Sequence, residues 1–326
     1  MLFFMLFATT LHGAKKIPPR PKFNKEPYKK TVWSQANPWF PPNLSRTHNS
    51  RVAGPDYSWW NLSKDPRIMW KQVAEKIKPY GLTGLQLEVY VFDDGRPGFL
   101  NVFKTMADGF KDAGNKFFVQ PWLCRPAPTV ELTIKGLEEF MLLMKNHPNV
   151  YRLNGAPVIS VYRPTKLNPE EWFEVIKTLE ARHGRMIWLL NSLWFNDNMD
   201  NLKNYLRVFD GITQYGILKS HLKHFKELVK IRKDFPEKIW ELVVHNNHFV
   251  HFHGGGVPTI LTKKIRKEWE SVFDFKPDAV AITNFFDISE YSRIFPSYEA
   301  EDILMRISHN YISKWRKKEY ICRRSK

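Results

Sequence analysis

Short apolar runs alternate along this chain with longer amphipathic ones. The short runs are Thr31–Gln35, Gly84–Val91, Lys116–Leu123, Pro157–Tyr162, Met186–Asn191, Gly211–Tyr215, Trp240–His245 and Ala279–Phe285. They are rich in Val, Ile and aromatic residues and too short for solvent-facing helices, so they read as buried strands. Between them lie helical patterns. Asp65-Pro66 supplies an N-cap with proline in the first turn, opening a helix to about Tyr80 that Gly81 closes. Asn168-Pro169-Glu170-Glu171 opens another in the same manner, and further patterns cover roughly 98–113, 130–146, 217–233, 261–273 and 298–315.

Strands alternating with helices imply a parallel sheet, either open and doubly wound or closed. No Gly-rich phosphate loop follows the first strand, as a dinucleotide-binding sheet would show. The strand ends carry polar or aromatic residues: Glu88 and Tyr90, Gln120 and Trp122, Tyr162, Asn191 and Trp194, Gln214 and Tyr215, His245 and Asn246, then Asp287. A barrel gathers all such ends at one face, whereas an open sheet scatters them. The expectation is an α/β fold, a single (β/α)8 barrel of the TIM type over residues 31–315. Residues 1–30 form an apolar and then Pro/Lys-rich lead-in, unstructured over 15–30, and 316–326 form a basic tail.

At 326 residues the chain can bury a large core, and 43% hydrophobic content excludes a disordered protein. The net charge of +17 suggests nucleic acid until it is located. Residues 1–30 hold seven Lys/Arg against Glu26, and 311–326 hold seven against Glu319. The charge therefore sits mostly in solvated ends, with weak attraction to anionic surfaces or acidic glycans as their functional reading, and no nucleic-acid motif accompanies it. Met1–Leu11 is too short to span a bilayer and reads as the remains of a secretory signal whose start lies upstream, which points to export, secreted or periplasmic. Asn43-Leu-Ser and Asn61-Leu-Ser are glycosylation sequons. Cys124 and Cys322 make no disulfide framework, and their pairing stays open.

The most informative segment is Ala281–Glu299, where an apolar run leads into Asp287, with Glu290 three residues on. Residues three apart in a strand face opposite sides, so both carboxylates serve one site only if the chain turns near Phe286, as a βα-loop does. Two such carboxyls can flank a glycosidic bond, one protonated as general acid and one ionised. A bare D-x-x-E is far more often a helix cap or a solvated pair. This segment, however, resembles the last-strand motif of the family 71 α-glucanases and the related family 99 α-mannan-cleaving glycoside hydrolases. Asp287 matches the first carboxylate, Glu290 the second, and Ile294 and Pro296 the exit into the final helix. His147-Pro148-Asn149 followed by Gly155-Ala156-Pro157-Val158 resembles the entry to the fourth strand of that group. Phe286 stands where the group has Asn, Ser289 and Tyr291 replace the residues flanking the second carboxylate, and the first strand lacks the usual His-containing pattern.

The resemblance implies a glycosidase on an α-linked glucan or mannan, inverting, with Glu290 as acid and Asp287 activating water, and with no cofactor. Glu88, Tyr90, Gln120, Trp122, Tyr162, Asn191, Trp194, Gln214, Tyr215, His245 and Asn246 are the candidate sugar-binding residues. Ordinary packing explains most aromatic residues in any chain with twelve Trp and twelve Tyr, and a salt bridge is an equal reading of Glu88. Two rival functions remain. One is a non-catalytic carbohydrate-binding barrel, motivated by Phe286 and Ser289. The other is a metal-dependent barrel hydrolase using His245, His248, His251 and His253, although the chain has no H-E-x-x-H motif and a Gly-hinged loop over the cleft is the plainer account of 245–256.

Overall fold

The computed structural model describes residues 17–36, 62–114, 116–195, 198–214, 222–245, 257–283 and 303–317. Eight parallel strands among these residues form the barrel: β1 (Val32–Ala36), β2 (Gly84–Val91), β3 (Phe118–Arg125), β4 (Ala156–Val161), β5 (Ile187–Asn191), β6 (Gly211–Gln214), β7 (Ile239–His245) and β8 (Ala279–Thr283). Each is followed by a helix: α1 (Pro66–Ile77), α2 (Leu100–Asp112), α3 (Val130–Asn146), α4 (Pro169–His183), α5 (Met199–Leu206), α6 (Leu222–Asp234), α7 (Val257–Phe275) and α8 (Ile303–Arg316). The sequence pattern misses α5, whose eight residues are too few for a clear helical period. The two proline-marked starts form as expected. Asp65 accepts from the Ile68 amide at 2.9 Å, and Asn168 and Glu171 form a reciprocal capping box.

β1 pairs with both β2 and β8, so the sheet closes on itself. The register also fixes the stagger. Trp33 is level with Gly84 and Phe118 on one side and with Ala281 and Val243 on the other. The ladder continuing from Trp122 passes through Ser160, Leu189 and Gly211 to Ile239. Four residues separate Phe118 from Trp122 and four more separate Ile239 from Val243, a shear of eight, as in TIM barrels.

Side chains alternate across the wall. Leu85, Leu87, Leu123, Ile159, Leu190, Ile212, Leu242 and Ile282 join the helices in the outer core, where Trp172 packs against Trp188 and Phe209. Trp33, Val158, Ile187, Leu189, Val243 and Ala281 fill the interior. Gly84 leaves room for this filling. A Cβ there would lie 2.0 Å from the Phe118 carbonyl oxygen and 2.8 Å from the Trp33 ring.

The expected unstructured lead-in is the clearest departure from the sequence reading. Residues 17–31 lie across the amino ends of the strands, and several of their partners, Met186, Asp210, Lys238 and Asp278, immediately precede strands. Arg20 holds Glu180 and Asp210 at 2.8 Å and donates to the Met186 carbonyl at 3.0 Å. Lys25 donates to the Pro236 and Lys238 carbonyls at 2.9 Å and to Asp278 at 3.1 Å. Tyr28 is fully buried and packs with Trp33 and Tyr151 as the floor of the barrel. A lone tyrosine among lysines and prolines has no period, so the pattern concealed a core residue. Met1–Leu11, the sequon asparagines Asn43 and Asn61, and residues 318–326 with Cys322 lie outside the described residues.

Candidate functional site

The carboxyl ends of the strands form the mouth. β2 brings Glu88 there, almost wholly buried, and the Tyr90 hydroxyl donates to it. The β2–β3 ladder slips by one residue after Val89, so that Tyr90 pairs with Arg125 rather than Cys124. Such a bulge re-aims side chains. The Cys124 thiol lies in hydrogen-bonding contact with both Glu88 and Tyr90. Burial pushes the thiol pKa well up and the adjacent Glu88 charge adds to this, so the sulfur stays protonated. The Tyr90 phenol is raised in the same way, by burial first and then by Cys124 and Glu88, and remains a donor.

β3, β4 and the turn after β5 contribute a staircase of rings. Trp122 is buried, Tyr162 is half-buried, and Trp194 is 41% exposed. Their centroids are 5.2 and 5.6 Å apart, in edge-to-face contact at 72° and 84°. Trp194 is the most open ring of the three, and Arg163 lies over one of its faces at 5.1 Å. Asn191 is fully buried. Its side-chain Oδ1 accepts from the Leu193 amide at 2.9 Å, while its Nδ2 has no hydrogen-bond partner among the described residues. The mouth thus presents rings, a carboxylate and an amide donor, the mixture that suits a polyhydroxylated ligand.

Gln120 and Gln214 are placed differently. Gln120 is fully buried inside the barrel, donating to Ser160 at 2.9 Å. Gln214 is level with Leu242 of the outer core and accepts from the Ser192 hydroxyl, so it faces away from the interior. His245 ends β7 beside Thr283, and its side chain lies outside the described residues. Tyr215, Asn246, Asp287, Glu290 and the histidines at 248, 251 and 253 lie outside them too. Thr283 is the last residue of β8, and Asp287 follows four positions later in the sequence.

The most unusual buried group is one the sequence reading passed over. Glu241, in the middle of β7, is fully buried inside the barrel. Tyr28 donates to its Oε2 at 2.7 Å, and Gln86 donates to Oε1 at 3.1 Å and Oε2 at 3.3 Å. No cation pairs with it among the described residues. Burial raises its pKa, opposed by the hydrogen bonds from Tyr28 and Gln86. The available signal was an acid inside an otherwise apolar strand, Ile239-Trp-Glu-Leu-Val-Val. Among the described residues, no cluster of three or more His, Cys, Asp or Glu side chains could hold a metal ion.

No protein-family model matches the chain, nor does any curated protein sequence. Solved structures share its fold. The GH99 endo-alpha-mannosidase from Bacteroides thetaiotaomicron superposes with a TM-score of 0.67 at 14% identity, covering 90% of this chain and 98% of that one. A glycoside hydrolase-like protein gives 0.61 at 12% identity, covering 90% and 96%. The catalytic domain of a chitinase from Pyrococcus furiosus gives 0.53 at 9% identity, covering 89% and 98%. At these identities the likeness establishes the barrel.

Proposed function

We propose that the chain is a glycoside hydrolase acting on an α-linked glucan or mannan. The observation that carries this reading is the mouth, where the Trp122–Tyr162–Trp194 staircase stands with Glu88 and the Asn191 amide, whose Nδ2 has no partner among the described residues. Flat rings stack on the apolar faces of sugars, and the polar groups read their hydroxyls. The likeness to an endo-alpha-mannosidase adds support. β8 runs toward the same end, and Asp287 and Glu290 follow it in sequence.

In this reading Glu290 protonates the departing glycosidic oxygen as water attacks the anomeric carbon, and Asp287 takes the proton of that water. The product forms with inverted configuration. A screen of α-glucans and α-mannans, with the anomer of the first product read by NMR, tests it. Absence of turnover on all of them, or a retained anomer, counts against substrate or stereochemistry respectively. Asp287→Asn separates this from a carbohydrate-binding barrel, the reading that Phe286 and Ser289 favour. An enzyme loses turnover and keeps oligosaccharide affinity within about tenfold, whereas a lectin shows no turnover even unsubstituted.

A further inference from the structure

The two basic ends of the chain are remote in sequence and adjacent in the fold. Lys30 Nζ donates to the Arg316 carbonyl at 2.5 Å, and Arg316 Nε donates to the Lys30 carbonyl at 3.1 Å, joining residues 286 apart. Residues 17–30 and the end of α8 therefore meet at the floor, the pole opposite the mouth. Arg20 and Lys25 are consumed there by buried carboxylates. Lys22, Lys30, Arg207 and Lys314 are exposed and have no acidic partner among the described residues. Lys317 is exposed beside them, and four more Lys/Arg against one Glu follow it in sequence.

This pole also has an apolar side. A half-open cavity of about 340 Å³ lies between the N-terminal segment and the strand ends. Ile17, Phe23, Leu206 and Phe235 line it, with Lys22 and Arg207 among its cations and Glu237 as its exposed acid. Basic charge and an apolar-lined hollow thus share one pole.

We propose that this floor is a docking surface for the anionic face of a lipid bilayer, which leaves the mouth pointing into solution. A polyanion such as an acidic glycan or DNA would use the charge alone. A bilayer uses both features, because basic side chains are drawn to anionic headgroups while apolar groups enter the interface. Among the described residues no helix is long and apolar enough to cross a membrane, and the contact proposed is peripheral.

The test is co-sedimentation of the full chain with vesicles, a readout that requires no turnover. Phosphatidylcholine vesicles containing about 30% phosphatidylserine should bind it, and pure phosphatidylcholine should bind it far less. Raising salt to about 0.5 M should release it. The triple change Lys22→Glu, Arg207→Glu and Lys314→Glu should weaken binding at least about thirtyfold, since each charge near the surface matters severalfold. The same charge change on the mouth side, Arg96→Glu, Lys135→Glu and Lys166→Glu, should leave binding within about threefold. Circular dichroism checks the fold of both triples, and the salt dependence of the unaltered chain stands if either misfolds. Equal binding to neutral vesicles, equal loss in the two triples, or capture by heparin or DNA but not by anionic vesicles would each overturn the proposal.

Discussion

Replacing Tyr28 by Phe removes one oxygen from the floor and leaves the ring in place. The lost group donates to Glu241 at 2.7 Å, and both partners are fully buried. A hydrogen bond to a charged acceptor contributes about 1.5–3 kcal/mol, against about 1 kcal/mol for a neutral one. The size of the effect therefore depends on whether Glu241 is ionised. Its pKa in the fold is raised by burial, so its protonated form is favoured there. The stability it contributes is complete below the ordinary carboxylate pKa and is lost as pH rises through the folded value. The Tyr28 bond opposes that rise because it favours the ionised form. Its removal lifts the folded pKa further and steepens the loss of stability with pH. Tyr28→Phe should cost about 1 kcal/mol at pH 4.5 and about 2–3 kcal/mol at pH 8. For a domain of this size that is a fall in Tm of roughly 2 °C at the lower pH and 4–6 °C at the higher. Thermal scans at one rate across this range measure it. An equal fall at both pH values, or none, would show that Glu241 does not ionise against Tyr28.

Glu241→Gln removes the charge and should raise Tm at pH 8 while changing little at pH 4.5, reversing the trend of Tyr28→Phe in the same scans. Deleting residues 17–30 should abolish the cooperative transition, because the barrel would lose the buried Tyr28 ring and the donor to Glu241, Asp278 would lose Lys25, and Glu180 and Asp210 would keep only Arg185 as an ion-pair partner among the described residues; a retained sharp transition would refute this. Gly84→Ala should destabilise by at least about 3 kcal/mol, since the obstacle at 2.0 Å is backbone, and urea titration would read it. Trp194→Ala should weaken oligosaccharide binding by about tenfold in calorimetry, with Tm shifted by less than about 2 °C because the ring is 41% exposed.

The barrel was legible because its elements follow elementary periods. Strands such as Leu189-Leu190 and Val243-Val244 face packing on both sides and read as unbroken apolar runs. Caps at Asp65 and Asn168 marked helix starts by local chemistry alone. The mouth was partly legible, since residues at strand ends are placed by topology once the barrel is inferred. Gln214 shows the limit. Its side of the wall depends on register with Leu242, and a shift of one residue reverses the face. The floor was hidden because Tyr28, Arg20 and Lys25 act through single long-range contacts that leave no repeating trace in the sequence.

The closure of β1 on β8 has a consequence for the order of assembly. The pairing of Val32 with Val280 joins residues 248 apart, and Tyr28 waits for Glu241, 213 residues later. A chain emerging from the ribosome at about 5–20 residues per second leaves β1 with one open edge for tens of seconds. Throughout that interval Trp33, later sealed between Tyr28 and Tyr151, has no barrel to fill. The clasp between Lys30 and Arg316 forms only when α8 arrives, so a segment made before the whole barrel is among the last of the described residues to be locked. Nascent-chain proteolysis should therefore cut before residue 31 until α8 has left the exit tunnel.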